Sequence, residues 1–111
     1  MSYMNNERRQ LEEQQLLESK RFDRKIREQE DGLQKYKRDF ENVRERFFEF
    51  SKHHEIIDSG NVSMAFNRES AGFDDNVRQA KKDIEATISD KQHLARQQSV
   101  DLADLDKKHQ N

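Results

Sequence analysis

Residues 22 to 50 read FDRKIREQEDGLQKYKRDFENVRERFFEF, and the apolar spacing inside them decides the fold class. Phe22, Ile26, Leu33, Tyr36, Phe40, Val43, Phe47 and Phe50 follow one another at steps of 4, 7, 3, 4, 3, 4 and 3, with Gln29 at the one skipped position. That is a heptad seam on one side of a long helix, and such a stripe needs a second helix to cover it. Extended forward, the seam takes in His54 and Ile57; extended backward it meets Ser19 and Gln15, while Leu11, Leu16 and Leu17 fall off register. Gly32 sits inside the helix and costs about 1 kcal/mol relative to alanine, a tolerable defect in so long a run.

The helical period breaks at IIDSGNVS, residues 56 to 63. Asp58, Ser59, Gly60 and Asn61 cluster there; Gly60 suits the left-handed conformation that ends a helix, and Asn61 or Ser63 suits the cap of the next one. Phe66, Phe73, Val77, Ala80 and Ile84 then resume the seam at steps of 7, 4, 3 and 4. The apolar residues next slip to Ile88, Ala95, Leu102 and Leu105, which leaves Lys91 and Gln98 on the seam. A later start at SAGFDD, residues 70 to 75, is disfavoured because Phe66 keeps phase with Phe73. The expected architecture is all-α: a single antiparallel two-helix hairpin across residues 1–111, with helices over about 5–57 and 63–109 and a turn at about 58–62, completed by a partner or by self-association. Phe47 and Phe50 are then expected to meet Phe66 and Phe73 near the turn, with a weakly packed stretch around Lys91 and Gln98.

Composition agrees with long helices. Of 111 residues, 40% are charged and only 31% hydrophobic, yet there is no proline, only three glycines and a net charge of −2. Disordered chains of comparable hydrophobicity usually carry proline, glycine and a large charge excess. Lys plus Arg against Asp plus Glu number 13 against 13 up to Ile57 and 8 against 10 beyond it, so neither half forms a basic surface for nucleic acid or anionic lipid. The locally basic SKRFDRKIR, residues 19 to 27, is interrupted by Asp23 and bordered by Glu18 and Glu28, and its Phe22 and Ile26 belong to the seam. No apolar run of signal-peptide or membrane-spanning length is present, so a cytoplasmic location is expected. Whether the chain leaves the cell with a partner is undetermined by sequence.

No reaction chemistry is legible. Cysteine is absent, and neither a phosphate-binding glycine loop nor a nucleophile elbow occurs. Glu49, His53 and His54 lie close in sequence but lack a third convergent ligand, and Asp101, Asp104 and Asp106 lack the glycine and spacing of a calcium loop. A two-helix hairpin also offers no enclosed pocket for shifted titrations. The expectation is a protein that is not an enzyme and uses no cofactor or metal.

Apolar residues off the seam point to partners. Phe48 lies about 100° around the helix from Phe47, and Leu16, Leu17, Ile56, Val62 and Met64 also include positions that one seam cannot cover. These six are the candidate partner-binding residues. The plan of a long charged helix, a short turn and FNRESAGFDDNVRQAKKDIEATISDKQHLARQQSVDLADLDKK, residues 66 to 108, resembles small helical proteins of Gram-positive bacteria encoded beside LXG-domain toxins of the type VII secretion system. The likeness is nearest at Arg68, Glu69, Ser70 and Phe73. It implies an accessory or targeting factor that, with a sister helical-hairpin protein, binds the helical N-terminal LXG domain of a toxin and delivers it to the secretion machinery. Unlike the better-known small type VII substrates, the chain has no tryptophan for a W-x-G turn, and its Y-x-x-x-E string, Tyr3 to Glu7, lies at the N-terminus, so no export signal is carried over. The heptad by itself is also compatible with a self-associating structural coiled coil, or with a chaperone of another secretion apparatus.

Overall fold

The computed structural model describes the backbone of residues 2–54 and 60–110 and the side chains of residues 6–52 and 64–109. Two α-helices account for the described chain, α1 (Ser2–His54) and α2 (Gly60–Gln110), and they pack as a hairpin with no strands among the described residues. Helix α2 begins at Gly60, so Gly60 opens the second helix instead of closing the first, and Asn61 and Ser63 lie within it. It runs without a break through Ser70 and Gly72, as the phase of Phe66 with Phe73 requires. Residues 55–59, which include Ile56 and the first two positions of the expected turn, lie outside the described residues, and the other three positions of that turn lie in α2.

The chain divides into two compact units: Met1–Glu28 with Ile84–Asn111, and Gln29–Asp83. Within Gln29–Asp83 the two helices are joined by aromatic stacking. Phe40 lies over Phe73 at 3.9 Å between centroids, Tyr36 over the same ring at 5.2 Å, and Phe47 over Phe66 at 5.1 Å, all within 20° of parallel. Such pairs add about 0.5–1.5 kcal/mol beyond the area they bury.

The half-buried and buried positions of α1 in this unit are Gln29, Leu33, Lys37, Phe40, Phe47 and Ser51. Leu33 to Ser51 spans 18 residues, which is five turns of a straight helix at 3.6 residues per turn. A strict heptad stripe drifts about 20° per repeat against that line. Tyr36, Val43 and Phe50 are therefore rotated outward, to 38%, 61% and 56% exposure, although Tyr36 still reaches α2 through Phe73 and Asn76. The expected pairing of Phe47 with Phe66 is present, and further rings join: Phe66 also receives Phe48, and Phe73 receives Tyr36 and Phe40.

The unit of Met1–Glu28 with Ile84–Asn111 combines half-buried Leu11, Phe22, Ile26, Ile84, Leu94, Leu102 and Leu105 with a series of polar contacts. Gln15 donates from Nε2 to the backbone carbonyl of Gln98 at 3.0 Å, and Gln98 returns the same bond to the carbonyl of Gln15 at 3.0 Å. Lys91 pairs with Asp23, Arg8 with Asp106 at 2.6 Å, and His109 with Glu7 at 2.5 Å. The hydrogen bond to Asp106 is the main cause that raises the Arg8 guanidinium above its ordinary value, so Arg8 stays a cation across the accessible pH range. The Lys91–Asp23 pair is partly exposed, which limits its contribution to about 1 kcal/mol or less.

The expected slip to Ile88 and Ala95 does not occur. In α2 the covered line of this unit runs through Ile84, Thr87, Lys91, Leu94 and Gln98, steps of 3, 4, 3 and 4, while Ile88 and Ala95 are exposed; beyond it Asp101, Leu102, Leu105, Asp106 and His109 are half-buried, so Leu102 and Leu105 are covered as expected. The stretch around Lys91 and Gln98 is thus held by paired polar groups and not left loose. Leu11, off the heptad register, is half-buried beside the line of Arg8 and Gln15.

Candidate partner-binding surface

Among the described residues no apolar side chain is buried; the buried ones are Gln15, Ser51 and Thr87. Two helices each cover one stripe of the other and leave the flanks open, so the aromatic layer is half-wetted throughout. Of the residues placed on the seam by sequence, Phe22, Ile26, Leu33, Phe40, Phe47, Phe66, Phe73, Val77 and Ile84 are half-buried, and Tyr36, Val43 and Phe50 are exposed. Of the partner candidates, Leu16, Leu17, Phe48 and Met64 are exposed at 55%, 59%, 42% and 63%. Val62 lies in α2 with its side chain outside the described residues, as Ile56 is altogether.

Phe48 is not stranded. Its ring tilts against Phe66 at 5.2 Å and meets Phe47 edge-on at 5.9 Å, and the Arg44 guanidinium stands 5.7 Å from its centroid. A long aromatic side chain reaches sideways across the 100° that separates it from Phe47, and Arg44 stacks on it by cation–π attraction. Phe66 is consequently wedged between two consecutive phenylalanines of α1.

The outward rotation of Val43 opens a groove in the Gln29–Asp83 unit. Tyr36, Asp39, Phe40, Val43, Arg44 and Phe47 from α1 and Ala65, Phe66 and Glu69 from α2 enclose about 710 Å³. Its floor is aromatic and aliphatic, and its charges, Asp39, Arg44 and Glu69, stand at the rim. Tyr36, Phe40, Val43 and Phe47 repeat at 4, 3 and 4, so the groove displays two layers of an unfilled heptad seam. The sequence carried this signal; it was legible as a seam, and only the backbone geometry assigns Val43 to the groove side. A smaller recess of about 340 Å³ lies by Gln29, Gly32, Leu33, Tyr36, Asn76, Ala80 and Asp83, where Asn76 donates to the Tyr36 hydroxyl at 2.9 Å.

Other chemistry is sparse. No group of three or more His, Asp or Glu side chains gathers at metal-binding reach among the described residues, and the side chains of His53 and His54 lie outside them. No helix among the described residues is long and apolar enough to cross a membrane. Comparison with known proteins finds no matching family model, no matching curated protein and no matching solved structure.

Proposed function

We propose that the protein is a non-enzymatic adaptor that binds the helical N-terminal LXG domain of a type VII secreted toxin in the cytoplasm and, with a sister helical-hairpin protein, delivers it to the secretion apparatus. The observation that carries a partner-binding role is the apolar surface left open on a chain with no buried apolar side chain among its described residues. An adaptor for a helical domain needs such a surface, because helix-to-helix recognition proceeds by laying apolar stripes together. The specific partner is supported by the resemblance at Arg68, Glu69, Ser70 and Phe73 and the plan around them. Leu16, Leu17 and Met64 are the docking residues with the greatest exposure among the partner candidates.

Co-expression with an LXG domain and a sister protein tests the reading. A complex that survives gel filtration, and is lost on Leu17→Asp or Met64→Asp with helicity unchanged by circular dichroism, is the expected result. Phe48→Asp is a poorer probe, since it also strips Phe66 of a ring contact. Failure to co-purify with any LXG domain would remove the toxin partner from the account.

A further inference from the structure

We infer that the groove of the Gln29–Asp83 unit is a homodimer interface, filled by the same stretch of α1 from a second copy running antiparallel. Three independent features of the groove lead there.

The first is open apolar surface: Val43, at 61% exposure, and Tyr36, at 38%, line the groove together with the half-buried rings of Phe40 and Phe47.

The second feature is layer matching. In an antiparallel pair of helices, one kind of seam position packs against the other kind across the interface. If Phe40 is set against Val43 of the second copy, Tyr36 falls against Phe47, and the two-fold axis returns both pairs: Val43 against Phe40 and Phe47 against Tyr36. Every layer then joins one of the more exposed residues, Tyr36 or Val43, with one half-buried phenylalanine. The two inner layers set a phenylalanine against the smaller valine, and the two outer layers set a tyrosine against a phenylalanine. A twofold interface must be self-complementary, and this stripe is.

The third feature is charge. In the same register Asp39 comes level, within one helical turn, with Arg46 of the second copy, and the symmetry forms that opposite-charge pair twice. Within the hairpin, Phe40 lies over Phe73 and Phe47 over Phe66, which sets Glu69 level with Arg44. The second copy brings Lys37 to within a turn of that level, so Glu69 at the groove rim stands between two cations that would otherwise repel. Complementary flanks of this kind fix register and partner choice in paired helices.

Light scattering and sedimentation equilibrium on the whole chain test the inference, with circular dichroism as the control for folding. The expected result is a reversible dimer at micromolar concentration. Asp39→Arg and Arg46→Asp each weaken it by roughly tenfold or more, and the combined reversal restores it to within about threefold, the pattern of a coupled charge pair. Val43→Lys abolishes dimerisation while leaving the hairpin helical. A chain that remains monomeric up to about 100 µM would overturn the inference. So would a dimer indifferent to Val43→Lys and to the charge reversals. A monomer whose complex with an LXG domain is lost on Val43→Lys would give the groove to the toxin, overturning the dimer while keeping the adaptor role.

Discussion

Gln15 and Gln98 form a reciprocal clasp, each side-chain amide donating to the backbone carbonyl of the other at 3.0 Å. Their carbonyls sit in the interior of helices and already accept helical bonds, so the amide uses the second lone pair of each oxygen. Only one axial alignment of α1 and α2 in this unit allows both bonds at once. A polar residue at a seam position commonly fixes register at some cost in stability. Gln15→Ala removes one bond of the clasp but leaves the Gln98 amide its acceptor, the backbone carbonyl of residue 15, and is expected to cost about 1 kcal/mol. The double change Gln15→Ala with Gln98→Ala should cost close to the sum of the two single changes in chemical denaturation, because each amide bonds to main chain and not to the other side chain. A double change clearly cheaper than that sum would mean that each amide depends on the other side chain.

Aromatic stacking should dominate the Gln29–Asp83 unit. Phe73 carries two stacked neighbours, Tyr36 and Phe40, so Phe73→Ala is expected to remove about 2–3 kcal/mol, toward the low end for phenylalanine truncation because the ring is half-wetted. Val43→Ala, measured in dilute solution, should fall within about 0.5 kcal/mol of the parent because the side chain is 61% exposed. Thermal and urea unfolding of the pair gives the contrast. A large loss at Val43 in the dilute monomer would place that residue under α2.

Both interior glycines are open to substitution. A methyl group added at Gly32 or Gly72 meets nothing within 4 Å. Gly32→Ala and Gly72→Ala should each stabilise by up to about 1 kcal/mol, the helix-propensity difference with no steric offset. For a chain of this size that is a rise of about 4–8 °C in Tm. A fall in Tm for Gly32→Ala would show that the glycine serves a bend or a close approach by another chain.

The hairpin was legible because its signals are local: the apolar steps from Phe22 to Phe50, the cluster at Asp58 to Asn61, and the phase of Phe66 with Phe73. The division of the seam was less so. A step of 3 or 4 is compatible with both a 3.5 and a 3.6 repeat over a few turns, and the two lines separate only over five turns, where Val43 and Phe50 leave the covered side and Ser51 enters it. Polar seam residues hid the rest. Thr87, Lys91 and Gln98 continue the stripe of α2 without apolar character, so a reading by hydrophobicity turns aside to Ile88 and Ala95. What restores them is pairing, Lys91 with Asp23 and Gln98 with Gln15, which depends on residues far apart in sequence.

The central claim is that one face of the α1 seam, marked by Val43, is covered by something other than α2. The chain has no cysteine, so Val43→Cys supplies a single thiol on that face. Its rate of modification by a maleimide, followed against protein concentration and against added LXG domain, reads the cover directly. The account predicts fast modification in dilute solution, close to that of an unstructured peptide thiol, and protection as concentration rises into the micromolar range. A thiol protected at every dilution would mean that the hairpin covers Val43 itself; one equally reactive at all concentrations, with and without the LXG domain, would mean that nothing docks there.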